Sequence, residues 1–174
     1  MPTIPDYEAP ETIVVDRPDQ LRALADDVRS TVVSLLRERA YSTQQLSRKL
    51  EIPKGTIGHH LKVLERAGLI HVVRTRQVRA VTEKFYGRTA RLFVVQDEDP
   101  EGERAVGATI LRQAAREVEE AALVSFGHPK VRLTGADAKR FERRLGRLFD
   151  DLLAADSADG ESYAIVAALY SRRA

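Results

Sequence analysis

Cysteine is absent from this sequence of 174 residues. Its absence excludes disulfide bonds, thiolate metal ligands and cysteine nucleophiles. Long hydrophobic runs are also missing, because the longest stretch without a charge, residues 162–171, has only 10 residues, whereas a transmembrane helix needs about 20. The first six residues have neither the basic nor the apolar region of a signal peptide. We therefore expect a cytoplasmic protein with no membrane segment.

Charge is distributed unevenly along the chain. Residues 1–16 contain four acidic residues and no basic one, residues 17–96 contain 16 basic against 7 acidic residues, and residues 97–174 have a net charge of −3. This pattern predicts an N-terminal arm over 1–16, a basic domain over 17–96 and a separate C-terminal region over 97–174. A basic block of this density attracts phosphate backbones, although a solvated basic surface would give the same pattern.

The apolar periodicity predicts three helices at the start of the basic domain. The first is expected at about 26–39. Ser42 and Gln45 have the spacing of a capping box, which predicts a second helix over 42–50, and a third follows at about 54–67. Two helices joined by so short a turn form a helix-turn-helix.

A β-hairpin is expected directly after the third helix. Residues 69–74 have the alternation and β-branched residues of a strand, 75–77 are polar enough for a turn, and 78–86 offer a returning strand. A hairpin in this position is the wing of a winged-helix domain. The wing is expected over residues 70–86.

The C-terminal region is predicted to be mostly helical. A long helix is expected over 103–125, followed by a small strand-helix-strand unit with strands at 131–133 and 163–170. The helix of that unit has an apolar stripe at Phe141, Leu145, Leu148 and Leu152. The predicted fold class is therefore mainly α with a small β component (α+β): a winged helix-turn-helix domain plus a C-terminal dimerisation helix and the strand-helix-strand unit.

The third helix has two chemically distinct faces. Successive residues are 100° apart, so Ile57, Leu61 and Leu64 fall on one core-facing stripe. His60 falls at its edge, where we expect half-buried packing. The opposite side is basic or small, as a helix in the major groove requires. The residues expected to contact bases and phosphates are Lys54, Thr56, His59 and Lys62.

The helix-turn-helix and the start of the wing contain a characteristically spaced set of residues: Gln45, Leu46, Leu50, Ile52, Pro53, Thr56, Ile57, His60, Leu61, Leu64, Ala67, Gly68, Leu69 and Ile70. Their spacing resembles the winged helix-turn-helix of ArsR/SmtB-type bacterial transcriptional regulators, and MarR-type regulators share much of it. The resemblance covers roughly residues 18–95.

The resemblance implies a homodimeric repressor that binds a palindromic operator in double-stranded DNA. The third helix would enter the major groove, the wing would follow the backbone or minor groove, and helices 26–39 and 103–125 would build the dimer interface. The wing contacts carried over are Arg74, Arg76 and Arg79, and further candidates for phosphate contact are Lys84, Arg88 and Arg91.

Metal sensing and cofactor binding are not expected. Metal-sensing members of the family use cysteine thiolates, which this chain lacks. The long helix contains no histidine, so a zinc or nickel site there would lack imidazole ligands. No residue pattern identifies a small-molecule effector.

Catalysis is not expected either. The sequence has no glycine-rich phosphate loop, no Gly-x-Ser-x-Gly elbow and no His-Glu-x-x-His. Two alternatives to an operator-specific regulator stay open: a winged helix used for protein interaction, and an architectural DNA-binding module without a specific operator. Apolar residues on the outer face of the third helix would favour the former, and here that face is basic.

Overall fold

A computed structural model describes residues 5–78, 80–95, 100–119, 121, 125, 127–157 and 160–171. It divides the chain into two compact units, residues 1–113 and 114–174. The fold is α+β, as predicted. In chain order the elements are β1 (Thr12–Val15), α1 (Pro18–Leu24), α2 (Asp27–Glu38), β2 (Tyr41–Ser42), α3 (Thr43–Leu50), α4 (Lys54–Arg66), β3 (Ile70–Val78), β4 (Val81–Arg88), β5 (Leu92–Val95), α5 (Pro100–Glu119) and α6 (Gly135–Ala154).

Helices α3 and α4 form the predicted helix-turn-helix. The Ser42 hydroxyl accepts a hydrogen bond from the Gln45 backbone N–H at 3.3 Å, and the Gln45 side-chain oxygen accepts one from the Ser42 N–H at 2.9 Å. This reciprocal pair is the expected capping box. Helix α3 ends at Glu51, whose φ of 55° turns the chain sharply, and α4 follows Pro53.

Helix α4 packs on the core through the predicted stripe. Ile57, Leu61 and Leu64 are buried and belong to one apolar cluster with Leu36 of α2 and Leu46 of α3. The helix is closed by Gly68, which has φ of 72°, while the following Leu69 N–H donates to the Leu64 carbonyl at 3.0 Å. Gly68 is therefore a left-handed cap of the helix, the role for which glycine is favoured.

His60 is half-buried at the edge of this stripe, as expected. Its side chain is 13% exposed, and Nδ1 lies 3.8 Å from the nearer carboxylate oxygen of Asp26. That distance is too long for a hydrogen bond, and the buried Nδ1 has no hydrogen-bond partner among the residues that the structure describes. Desolvation by burial lowers the pKa of His60, although the Asp26 carboxylate opposes the shift.

The wing is an antiparallel hairpin, but its turn was predicted wrongly. β3 and β4 pair from Ile70 with Arg88 to Val78 with Val81, so both strands continue through the segments where the turn at 75–77 was expected. Residues 75–77 are exposed strand residues paired across the hairpin with 82–84. Polarity alone does not mark a turn, because an exposed strand carries polar side chains as well.

The part of the N-terminal arm that the structure describes is held in place by strand pairing. β1 pairs in parallel with β5, from Thr12 with Leu92 to Val15 with Val95. β2 joins the wing sheet beside β4. Residues 12–15 include the β-branched side chains typical of a strand, whereas β5 was not predicted, because a four-residue apolar segment becomes a strand only beside a partner.

Helix α5 begins in the first unit and differs from its predicted bounds of 103–125. It spans Pro100–Glu119, and several residues from 120 to 126 lie outside the described part. Val106 and Thr109 are buried, and the Thr109 hydroxyl donates to the Ala25 carbonyl at 3.2 Å. No helix among the described residues has the length and apolar character to cross a membrane.

The second unit contains the predicted helix without the predicted strands. Thr134 caps α6 by accepting a hydrogen bond from the Asp137 N–H at 3.1 Å. The described residues at 131–133 and 163–170 are irregular and exposed, so the strand-helix-strand prediction is wrong. High β propensity does not make a strand where no ladder partner is available. Of the α6 stripe, Phe141 and Leu145 are half-buried, whereas Leu148 and Leu152 are exposed.

The buried stripe of α4 predicts a large loss of stability on truncation. Leu61→Ala should lower the free energy of unfolding by about 2–5 kcal/mol, because the lost methyl groups leave a cavity. Lys62→Ala, at the next and exposed position, should change it by less than about 0.5 kcal/mol. Urea unfolding monitored by circular dichroism measures both. Equal losses in the two variants would contradict the assigned stripe.

Burial of His60 predicts a pH dependence of stability. Burial holds the pKa of His60 in the folded protein below the ordinary value of about 6.5. As the pH falls, the unfolded chain therefore binds a proton at this position before the folded protein does. The free energy of unfolding should consequently decrease between the ordinary pKa and the lowered pKa of the folded state. In His60→Gln the loss of stability between about pH 7.5 and pH 5.5 should be smaller than in wild type. His59→Gln, at an exposed position, is the control. A wild-type pH dependence in His60→Gln would refute the assignment.

Candidate nucleic-acid interface

The exposed side of α4 has the composition expected from the sequence. Lys54, Thr56, His59 and Lys62 are exposed, opposite the buried stripe. A Cβ atom added at Gly55 or Gly58 would meet nothing within 4 Å. The structure thus leaves this face uncovered, with two positions where no side chain limits the approach of a ligand surface.

Two of the three candidate wing arginines lie in strand β3. Arg74 was expected in the strand and is found there, whereas Arg76, which was expected in the turn at 75–77, is also a strand residue, paired with Glu83 of β4. Arg79 lies outside the described residues. The Arg74 and Arg76 guanidinium carbons lie 5.0 and 5.5 Å from the centre of the Phe85 ring. The ring of β4 therefore holds both side chains on one face of the hairpin.

Each of these arginines is paired with a carboxylate of the same unit. An Arg74 Nη lies 2.9 Å from an Asp6 oxygen, and an Arg76 Nη lies 2.7 Å from a Glu83 oxygen. The arginine side chains are still 45% and 64% exposed, respectively. Both charges are partly neutralised within the protein while remaining within reach of an external anion.

Glu83 was not recognised from the sequence. Hydrogen bonding to Ser42 and then to Arg76 lowers the pKa of its carboxyl, and the charge of Lys54 adds to the effect. Glu83 thus connects the cap of α3 with the wing. Its cross-strand pairing with Arg76 could have been inferred only from the correct hairpin register.

The position of Arg88 does not fit the phosphate contact suggested for it from the sequence. It was considered for phosphate contact but is only 7% exposed, with its guanidinium 4.1 Å from the centre of the Phe93 ring. Desolvation lowers its pKa to about 10, so the group stays charged at neutral pH. An inward-facing side chain on β4 cannot reach a phosphate, whereas Lys84 on the same strand is exposed.

The surface as a whole is suited to binding an anion. Within the described ranges no group of three or more histidine, aspartate or glutamate side chains is arranged to hold a metal ion. Exposed cations and hydrogen-bond donors on α4 and β3 are instead the side chains used for phosphate and base contact.

The helix-turn-helix lies within a segment that is similar to a known protein family. Residues 26–72 match the family model described as bacterial regulatory protein, arsR family. Comparison with curated protein sequences gives no match. HlyU from Vibrio cholerae N16961 is 23% identical with a TM-score of 0.36, covering 56% of this chain and 87% of that chain. An ArsR-like transcriptional regulator from Rhodococcus sp. RHA1 is 18% identical with a TM-score of 0.34. The match covers 79% of this chain and 91% of the Rhodococcus chain.

The family match runs from the start of α2 to the first residues of β3 and includes the whole helix-turn-helix. It supports DNA-binding transcription regulation as the class of function, and its description is that of a regulatory protein. The resemblance stated from the sequence motifs is confirmed for this segment. Residues 26–72 are thus similar to the helix-turn-helix domain of the arsR family.

Proposed function

We propose that this protein is a sequence-specific transcriptional regulator that acts as a homodimeric repressor on a palindromic operator. Helix α4 enters the major groove, and the β3–β4 wing contacts the flanking backbone or minor groove. The observation that carries this proposal is the exposed face of α4, on which cations and small residues lie opposite a buried apolar stripe.

Residues 54–62 of α4 supply the proposed base and phosphate contacts. In a helix-turn-helix the first turns of the recognition helix reach the base edges. Lys54, Thr56, His59 and Lys62 provide hydrogen-bond donors there, and the open surfaces at Gly55 and Gly58 allow close approach to the groove. Their proposed role is base and phosphate contact by all four side chains.

The wing arginines supply proposed contacts outside the major groove. Arg74, Arg76 and Arg79 would bind phosphates, which contributes affinity without sequence preference. The guanidinium groups of Arg74 and Arg76 both lie over the ring of Phe85, which helps to hold the two exposed side chains in position. Binding in this way should weaken steeply with salt, because every neutralised phosphate releases counterions.

A second copy of the chain is the proposed partner along α2 and the first part of α5. These helices are joined by a hydrogen bond of 2.9 Å between Ser30 and Gln113 and by an ion pair of 3.2 Å between Arg112 and Asp27. Ile110 and Leu111 on α5 remain exposed in the single chain. An exposed apolar surface of this kind favours association.

These surfaces suggest a separate role for each of the two parts of the chain. Residues 17–96 are proposed as the DNA-binding domain, and residues 97–174 as a dimerisation region that could also receive an effector. The exposed side chains of Leu148 and Leu152 on α6 support an interaction role for the latter.

Selection of bound duplexes from a random pool, followed by titration of the selected sequence at several salt concentrations, tests the proposal. A two-fold symmetric motif with half-sites about one helical turn apart is expected. Salt-dependent binding without enrichment would indicate an architectural protein. Absence of binding to any duplex would favour a winged helix used for protein interaction.

His59→Ala should relax base preference at one or two positions in each half-site, with a cost of about 1–3 kcal/mol at those positions. The reason is the loss of a donor on the face directed at the base edges. Competition binding with single-base operator variants measures the effect. His71→Ala, exposed on β3, is the control, and an equal loss on every sequence would assign His59 to the backbone.

Arg76→Ala should weaken binding to all duplexes, because one phosphate contact is lost. The slope of log binding constant against log salt concentration should become shallower by about 0.9, the number of counterions released by one contact. Fluorescence anisotropy at several salt concentrations measures the slope. Arg132→Ala, an exposed arginine of the second unit, should leave the slope unchanged. An unchanged slope in Arg76→Ala would remove this side chain from the contact surface.

A further inference from the structure

The N-terminal arm is fastened to the wing by the carboxylate of Asp6. One oxygen accepts a hydrogen bond from the Ala40 backbone N–H at 2.6 Å, and the other lies 2.9 Å from the Arg74 guanidinium. The same side chain therefore contacts the segment that follows α2 and the proposed DNA-binding surface of β3. Asp6 had no role in the function predicted from the sequence.

Tyr7 holds this part of the arm in place. Its hydroxyl donates to the Leu36 carbonyl and accepts from the Arg88 backbone N–H at 2.9 Å. Burial raises the pKa of the Tyr7 hydroxyl, which consequently keeps its proton as a donor. A Cβ at Gly87 would lie 2.8 Å from the Tyr7 ring. The close seating of the arm thus requires a glycine at this point of β4.

We propose that Asp6 is an internal competitor of DNA for Arg74, so that the seated arm weakens binding through the wing. The inference rests on the proposed function, because it needs Arg74 to meet a phosphate. Carboxylate and phosphate oxygens are alternative acceptors for the same guanidinium donors. DNA must therefore displace Asp6 from Arg74 or approach with the Asp6 charge still beside its backbone.

Displacement is feasible because the ion pair is open to solvent. A groove of about 440 Å³ lies between arm residues 6–8 and β3 residues 71–74. The Arg74 side chain is 45% exposed and that of Asp6 31%. Exposed ion pairs are weak and are screened by salt. The contact should accordingly reduce affinity without abolishing binding.

The Asp6 contact differs from the ion pair between Arg76 and Glu83. Glu83 lies on β4 directly across from Arg76 and is part of the wing itself. Asp6 belongs to a separate segment, so its charge can leave Arg74 when the arm moves, with the β3–β4 hairpin intact. Residues 1–16 also carry a net charge of −4, which increases the repulsion between the seated arm and a phosphate backbone.

Asp6→Asn tests the inference in the full chain. The amide oxygen can still accept from the Ala40 N–H, while the negative charge beside Arg74 is lost. With a labelled duplex of mixed sequence, binding should tighten by about 3- to 10-fold at low salt, and the salt slope should steepen by about 0.9. Glu8→Gln is the matched control, because it removes one acidic charge from the same groove, where Glu8 forms no ion pair with the described residues. Its effect should stay below about 2-fold.

The double variant Asp6→Asn/Arg74→Gln assigns any gain to the right side chain. It should bind no more tightly than Arg74→Gln alone, because the guanidinium that loss of the Asp6 charge would free is absent from both variants. Thermal unfolding verifies that each variant is folded. Should Asp6→Asn fail to fold, Tyr7→Phe replaces it: loss of the hydroxyl loosens the arm, leaves both charges in place and should also tighten binding.

The results separate this inference from the proposed function. If the wild-type protein binds the duplex and Asp6→Asn gains no more than Glu8→Gln, the competition by Asp6 is refuted while DNA binding stands. A gain that persists in the Arg74→Gln background also refutes it, since the effect is then not exerted through Arg74. If the wild-type protein and all variants bind no duplex, the proposed function itself is refuted.

Discussion

The packing of α4 against α2 and α3 is the constraint on which the candidate interface depends. Ile57, Leu61 and Leu64 occupy the core beside Leu36 and Leu46. Because side chains of a helix follow a period of 3.6 residues, burial of this stripe directs the opposite face outwards. The cations and small residues of α4 are thus exposed by hydrophobic packing. No contact to a ligand is needed to arrange them.

The wing is oriented by the same core. Leu69 and Ile70, which follow the cap of α4, are buried in the cluster, so β3 leaves the core at a defined point. Along the hairpin the side chains are buried near the core and exposed towards the tip, and this gradient decides the environment of each arginine. Arg74 and Arg76 face solvent beside carboxylates, whereas Arg88 is turned inwards over Phe93. Residues of one type in one hairpin therefore have opposite environments.

Much of the fold could be predicted from the sequence where short-range patterns govern it. The capping box of Ser42, the stripe of α4 and the cap at Gly68 all depend on residues a few positions apart. The predictions failed where a distant partner decides. The turn of the wing was misplaced, β5 was missed, and the segments at 131–133 and 163–170 have strand composition without a neighbouring strand.

The sequence by itself determined the helix-turn-helix, the hairpin that follows it and the residue types on the exposed face of α4. Only the tertiary structure decided which charges meet. Tyr7 and Arg88 are 81 positions apart, yet their hydrogen bond brings the arm onto the wing, and Asp6 then reaches Arg74. Helix periodicity and capping are local properties of the chain. An ion pair between distant segments depends on how the whole core packs, which no local pattern encodes.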